Sequence, residues 1–184
     1  MSKQGRAILL AVGGGIAAYK SAILCSRLAQ GGHDVRTAIT KSAGQFIGAA
    51  TLSALSGRPV ASGMFEPSYP LGAHIEVARD LDLMIVAPTT ANLLAKFASG
   101  TADDLVSTLY LQVECPVLLA PAMSSSMWDK AAVQRNLEVL QDDGCHFVGP
   151  ETGWLCCRVS GNGRMSEPEK ILQAAETLLA DGDR

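Results

Sequence analysis

Residues 7–40, AILLAVGGGIAAYKSAILCSRLAQGGHDVRTAIT, carry the pattern that decides the fold. An apolar run, Ala7–Val12, ends in three glycines. A stretch of helical period, Ile16–Gln30, follows, and Gly31 and Gly32 stop it before a second apolar run, Val35–Thr40. Ile16, Tyr19, Ile23, Leu24 and Leu28 recur at helical spacing. Both runs are nearly continuous rather than alternating, as expected of strands covered on two faces. Strand, helix and strand joined by glycine turns make one unit of a parallel sheet.

The same alternation continues outward. Leu83–Ala87, Val117–Ala120 and His146–Val148 read as further strands, and Thr90–Ser99, Asp104–Leu111 and Lys130–Leu140 as helices. The last helix has a start signal, Ser166 with Glu169 in a capping-box pattern and Pro168 in the first turn, then a stripe of Ile171, Ala174, Ala175, Leu178 and Leu179. Phe65–Gly72 and Pro150–Gly163 lack periodicity and read as loops. The expected fold is α/β, a parallel sheet with helices on both faces, in one domain over 1–184 with a flap at about 150–165.

The 184 residues are 48% hydrophobic, with 15 basic and 18 acidic side chains and a net charge of −3. No basic excess exists to neutralise a phosphate backbone, so no nucleic-acid partner is expected. The first apolar run is far shorter than the roughly 20 residues that cross a bilayer, and no cleavage site follows it. No membrane partner and no removed leader are expected. The five cysteines show no Cys-x-x-Cys, and adjacent Cys156 and Cys157 lack metal-ligand spacing, so no metal is expected. Cys25, Cys115 and Cys145 read as small buried hydrophobes in a reducing, cytoplasmic setting. A mean hydropathy of +0.20 points to apolar surface buried between copies of the chain.

Five segments have the makings of a site. Gly13-Gly14-Gly15 sits where a strand turns into a helix, a place for a phosphate or simply a tight turn. Ala18 stands where a dinucleotide fingerprint needs its third glycine, and no acid closes the second strand; a mononucleotide phosphate fits better than NAD. Thr89, Thr90 and Asn92 follow a buried strand, to bind a ligand or to cap the next helix. His74 precedes a short helix beside a loop, as an acid or base or as a structural histidine; His33 and His146 read as packing or surface residues. Ser124, after Pro121-Ala122-Met123, is an anion donor or an N-cap, and the absence of Gly-x-Ser-x-Gly disfavours a serine hydrolase. Finally, Gly153–Met165 holds Cys156, Cys157, Arg158 and Arg164 on a glycine-bounded loop.

Together these segments resemble the flavin-dependent cysteine decarboxylases over about Ala7 to Leu179. The matching motifs are Gly14–Lys20, His74-Ile75-Glu76, Ala87–Asn92 with Ala95-Lys96, Asp103-Asp104-Leu105, Pro121-Ala122-Met123 with Met127-Trp128, and Gly161–Met165. The resemblance implies a flavodoxin-like Rossmann variant that binds FMN between subunits of a trimer, which can assemble into a dodecamer. It implies FMN contacts at Gly14, Gly15, Ile16, Thr40, Ser42, Thr90, Ala91, Asn92 and Ala122. It puts the catalytic histidine at His74, the flap cysteine at Cys157, and substrate-holding flap residues at Leu155 and Cys156.

Within the family, the branch acting on phosphopantothenoylcysteine is the nearest, which implies a small cysteine-containing substrate and 4′-phosphopantetheine, a coenzyme A precursor, as product. A carboxylate beside an ordinary CH has no electron sink. Oxidation of CH₂–SH to a thioaldehyde creates one, carbon dioxide leaves as an enethiolate forms, and the enethiol is then re-reduced, with Cys157 giving a proton and His74 serving as acid and base. Two departures stand out. Ser124 replaces the family's asparagine, which holds the substrate carboxylate, so Ser124 (through water) or Ser125 takes over. Cys156-Cys157-Arg158 replaces Ala-Cys-Gly, with Arg158 a candidate anion contact. The alternative is a peptidyl-cysteine decarboxylase, which releases the enethiol and needs no reducing cysteine. A phosphatase-regulating flavoprotein is disfavoured by the missing acidic tail, and a prenyl-transferring relative by His74 and the flap motif. Bacterial members are usually fused to a synthetase; this chain ends after its last helix, so the synthetase is expected on a separate polypeptide.

Overall fold

A computed structural model describes residues 5–181. The first four and last three residues, on which the leader and tail readings partly rest, lie outside that range. The order is β1 (Ala7–Val12), α1 (Ala18–Gln30), β2 (Asp34–Ile39), a 3-10 turn (Ala43–Gln45), α2 (Ala49–Ser56), β3 (Val60–Ala61), α3 (Ala73–Ala78), β4 (Leu83–Thr89), α4 (Ala91–Ser99) and α5 (Leu105–Gln112). Then come β5 (Val117–Pro121), α6 (Ser125–Trp128), α7 (Ala131–Asp142), β6 (His146–Phe147), β7 (Glu151–Trp154), β8 (Ser160–Arg164) and α8 (Pro168–Asp181).

Six strands form one sheet in the order β3-β2-β1-β4-β5-β6, and every pairing is parallel. Without the two-residue edge strand β3, the order is that of flavodoxin; with it, that of the dinucleotide fold. The expected flavodoxin-like Rossmann variant is what the chain adopts. Strand period two divides the core cleanly. Ile8, Leu10, Val12, Leu83, Ile85 and Ala87 face one layer, which α1, α2 and α8 cover. Leu9, Ala11, Met84, Val86 and Leu119 face the other, covered by α3, α4, α5 and α7. Each fully buried Leu or Ile is worth about 1.5–3 kcal/mol of transfer free energy, so the central strands are the firmest part of the molecule.

Three expectations need correction. Helix α1 begins at Ala18 rather than Ile16, because Gly13–Ala17 forms a turn, with Ala18 N–H bonding Gly15 O at 2.9 Å. The last helix begins one residue later than the Ser166 cap implied: the Glu167 carbonyl accepts from Lys170 and Ile171, and Pro168 is the first helical residue. Pro150–Gly163 is not a loop but most of an antiparallel hairpin, β7 with β8. Its strand Ser-Gly-Asn-Gly-Arg has no β-branched residue to announce it; the strand exists because it is docked against the body of the protein. Helix α2 and strand β3 also escaped the sequence pattern: only Leu52 of α2 is buried, so no apolar stripe marks it.

Candidate active site

After β1 the chain crosses to one face of the sheet, and after β4 to the other, although the two strands are neighbours. A crevice therefore opens between their carboxyl ends, where open α/β sheets bind ligands. Two clefts occupy this edge. The larger, about 620 Å³, is walled by Gly14, Gly15, Thr40, Ser42, Thr90, Ala91, Asn92 and Ala122. The smaller, about 300 Å³, lies between the start of α1, the end of β5 and the hairpin, and takes in Ile16, Ser124, Leu155 and Cys156. They share Gly15, Ala122 and Met123.

The glycine turn is held at close quarters. Gly13 N–H donates to Pro88 O at 3.2 Å, and a Cβ on Gly13 would sit 2.3 Å from that oxygen. A Cβ on Gly14 would sit 2.3 Å from Cβ of Ser42. Gly15, by contrast, faces open cleft, its nearest neighbour to such a Cβ being Cγ2 of Thr90 at 3.9 Å. No backbone carbonyl among the described residues accepts from the Gly14 or Ile16 N–H, so these amides remain for a ligand.

Thr89 and Thr90, alike in sequence, part company here. Thr89 is fully buried; its hydroxyl donates to Val86 O at 2.7 Å and accepts from Ala120 N–H at 3.1 Å, bridging the bulge between β4 and β5. Thr90 caps α4, its hydroxyl accepting from Leu93 N–H at 3.3 Å, and lines the larger cleft as well. Lys96 and Asp104 also line that cleft, a role not read from their motifs. Lys96 Nζ lies 2.5 Å from Asp103 Oδ1 and 2.6 Å from Asp104 Oδ2, while Asp104 forms a capping box with Ser107 on α5. Burial works against the Lys96 charge, but its hydrogen bonds to Asp103 and Asp104 outweigh this and raise its pKa. Burial likewise pushes the Asp104 carboxyl up, yet the bonds from Lys96 and Ser107 prevail and lower it.

The hairpin is pinned to the end of β5. Met123 N–H donates to Gly163 O at 2.9 Å, and the Ser125 hydroxyl donates to Asn162 O at 2.7 Å. A Cβ on Gly163 would lie 2.2 Å from Met123 O, which explains the glycine of this motif. Ser125 is thus occupied with the flap. Ser124 carries no side-chain cap bond; its hydroxyl pairs with Ser126 Oγ at 3.2 Å and remains on the cleft wall.

Two expected participants stand apart. Cys157 is exposed at the hairpin turn and lines neither cleft, whereas Cys156 lines the smaller. His74 is in the first turn of α3 and also lines neither; its Nδ1 is buried without a hydrogen-bond partner. Because α3 runs back between two parallel strands, that first turn lies toward the same carboxyl edge as the clefts. Among the other thiols, burial raises Cys25 and Cys115 to about 11 each, and Cys145 is also raised. His33 is a packing residue paired with Glu176 at 3.0 Å. No helix of the described residues is long and apolar enough to cross a membrane.

Comparison with known proteins agrees with this picture. The model of the Flavoprotein family matches residues 1–179. The chain is 44% identical over 177 residues to the coenzyme A biosynthesis bifunctional protein CoaBC of Bacillus subtilis, covering 96% of this chain and 44% of that protein. To CoaBC of Escherichia coli K12 it is 45% identical over 176 residues, covering 95% and 43%. The chain thus spans less than half the length of these relatives. Among solved structures, the FMN-dependent cysteine decarboxylase SpaF superposes with a TM-score of 0.86 at 30% identity, covering both chains completely. A Cys-to-Ser mutant of PPC decarboxylase complexed with pantothenoylaminoethenethiol gives 0.84 at 28% identity, covering 96% of this chain and all of that one.

Proposed function

This chain belongs to the Flavoprotein family, and from that premise we propose that it is an FMN-dependent carboxy-lyase converting 4′-phosphopantothenoylcysteine to 4′-phosphopantetheine in coenzyme A biosynthesis. The observation that carries this reading is the wall of Gly15, Ala122 and Met123 common to both clefts, so that occupants of the two would meet. The relatives named for coenzyme A biosynthesis and the PPC decarboxylase complex support the substrate.

The larger cleft fits FMN: Gly14 and Ser42 approach so closely that only glycine leaves room, and the Gly14 and Ile16 amides have no backbone acceptor. The phosphate end belongs with these amides and Ser42, the remainder with Thr40, Thr90, Ala91, Asn92 and Ala122. When bound, FMN supplies the two-electron acceptor that makes the substrate's CH₂–SH carbon an electron sink and then returns those electrons. The protein's part is to orient and to move protons. Leu155 and Cys156 hold the arm of the substrate in the smaller cleft, with the Ser124 hydroxyl as a single donor to its carboxylate. His74 is the acid and base at the reacting thiol. Cys157 protonates the enethiol carbon as the hairpin closes.

His74 does not line the clefts of its own chain, and Ile16, Tyr19 and Ile23 leave an exposed apolar face on and before α1. Both features suit a homo-oligomer, trimer or dodecamer, in which His74 serves a neighbour's cleft. Five free thiols suit a cytoplasmic setting. Mass spectrometry of the yellow protein incubated with 4′-phosphopantothenoylcysteine tests the function. A product lighter by one carbon dioxide and identical to phosphopantetheine is expected. No turnover with flavin bound would overturn it in favour of C-terminal cysteine peptides as substrates.

A further inference from the structure

The hairpin is clasped at its base and free at its tip. At the base Lys20 Nζ lies 3.1 Å from Oε1 of Glu167, and Arg164 donates to the same oxygen. At the tip Leu155 N–H donates to Val159 O at 2.9 Å, and Arg158 N–H donates to Leu155 O at 2.9 Å. The second bond closes a β-turn with Cys156 and Cys157 at its two central places, and Arg158 ends it in the left-handed region at φ 63°. Both cysteines are exposed and free, whereas Cys25, Cys115 and Cys145 are buried or half-buried. Burial pushes the thiols of Cys25 and Cys115 up to about 11 and raises that of Cys145, which keeps them protonated and out of thiol exchange. Cys156 stands where the resembling family has alanine, so the reaction proposed above does not itself call for a second thiol.

We infer that Cys156 and Cys157 form a modification site, a dithiol that low-molecular-weight disulfides such as oxidised glutathione convert to a disulfide ring, and that closing this ring changes the product released. The effect on the product rests on the function proposed above; the ring does not. Cys157 lines neither cleft and meets the oxidant first. Its thiolate attacks one sulfur of the disulfide and displaces one glutathione thiolate. The Cys156 thiolate then attacks the Cys157 sulfur and displaces the second. One disulfide breaks and one forms, two cysteines are oxidised, and two glutathiones leave with the two protons. Adjacency makes the second step unimolecular. The ring is also easy to reopen. The Cys156–Cys157 peptide is trans, so its Cα atoms are about 3.8 Å apart, closer than the roughly 4.4–6.8 Å of an ordinary disulfide. Strained disulfides are the reducible, regulatory ones. With the ring closed, Cys157 has no S–H proton to give. Loss of carbon dioxide needs no thiol but re-reduction does, so the oxidised enzyme stops at the enethiol and the two electrons taken from the substrate stay on the cofactor.

The test exposes the FMN-loaded enzyme to oxidised glutathione and reads its intact mass and its peptides, before and after dithiothreitol. Wild type is expected to become lighter by two hydrogens, to carry no glutathione, and to hold Cys156 and Cys157 linked within one peptide until dithiothreitol restores both thiols. Cys156→Ser has no second thiol to close the ring and should keep one glutathione on Cys157; Cys157→Ser should keep one on Cys156. A lasting glutathione adduct on wild type, a disulfide between two copies of the chain, or thiols that stay reduced would each overturn the site. In a single turnover with 4′-phosphopantothenoylcysteine, oxidised wild type should release the enethiol and lose the phosphopantetheine that its reduced form makes, and dithiothreitol should bring it back. Equal yields of phosphopantetheine from the two forms would overturn the effect on the product. Each protein is compared with its own reduced form, which removes any change in substrate binding at residue 156 from the comparison. Should neither form turn over the substrate, the proposed function falls, and the masses still decide the site.

Discussion

The two clefts share a wall but are made of different material. The larger is cut into the edge of buried strands, and its turns press backbone against backbone, as Gly13 does on Pro88. The smaller is closed by a hairpin whose tip is exposed, Trp154 at 67%, and which is tied down by a few polar contacts from Met123, Ser125 and Lys20. The cofactor side is therefore backed directly by the core, whereas the substrate side is held by polar contacts, the Glu151–Lys170 and Arg164–Glu167 ion pairs and the one buried side chain of the turn, Leu155. Damage to the first should cost folding or flavin. Damage to the second should change what leaves the enzyme.

The sharpest contrast is expected from the flap thiols. Cys157→Ser should still release carbon dioxide but give almost only the unsaturated enethiol product, two hydrogens lighter than phosphopantetheine by mass spectrometry. Cys156→Ser should give the saturated product. Since Cys156 is the thiol that lines the cleft, the opposite result would move the proton donor one residue along the hairpin. On the firm side, Gly14→Val forces a side chain onto Ser42, an overpacking cost of about 1–3 kcal/mol. A lowered melting temperature and a colourless protein are expected; a yellow, unperturbed one would break the distinction between the clefts.

Acid should probe the larger cleft through Asp104. Its folded pKa lies below the ordinary value, so its contribution to stability is present above the unfolded pKa and is lost as pH falls through the folded one. Asp104→Asn should therefore melt lower than wild type at neutral pH, and the gap should close below the usual carboxylate range. A gap independent of pH would remove the Lys96 pair from the account. The smallest effect is expected from Ser125→Ala, which deletes the bond to Asn162 at a cost of about 1 kcal/mol. Hydrogen exchange should quicken in β8 while the central strands stay protected.

Much of this was legible in the sequence. The four long parallel strands, β1, β2, β4 and β5, appear as apolar runs because a strand covered on both faces has no polar side to interrupt it, whereas the expected edge strand His146–Val148 shortens to two residues. The site motifs stand at strand ends, and eight of the nine expected cofactor residues line one cleft while Ile16 lines the other. The hairpin was read as a loop because glycines and polar residues carry no period; its shape comes from contacts with Met123 and Ser125, about 40 residues away in the chain. Thr89 and Thr90 could not be separated by type, only by which of them is buried under the bulge.

What the sequence by itself determined is the alternation of strand and helix, the parallel sheet and the identity of the chemistry-bearing side chains, all properties of local period and residue type. Tertiary structure alone decided that two clefts share a wall, that Ser125 is spent on the flap, that Lys96 is locked between two acids, and that Lys20 and Arg164 meet over one carboxylate. Those are distances between residues far apart in the chain, and such distances exist only once burial of the sheet's two faces has brought the segments together.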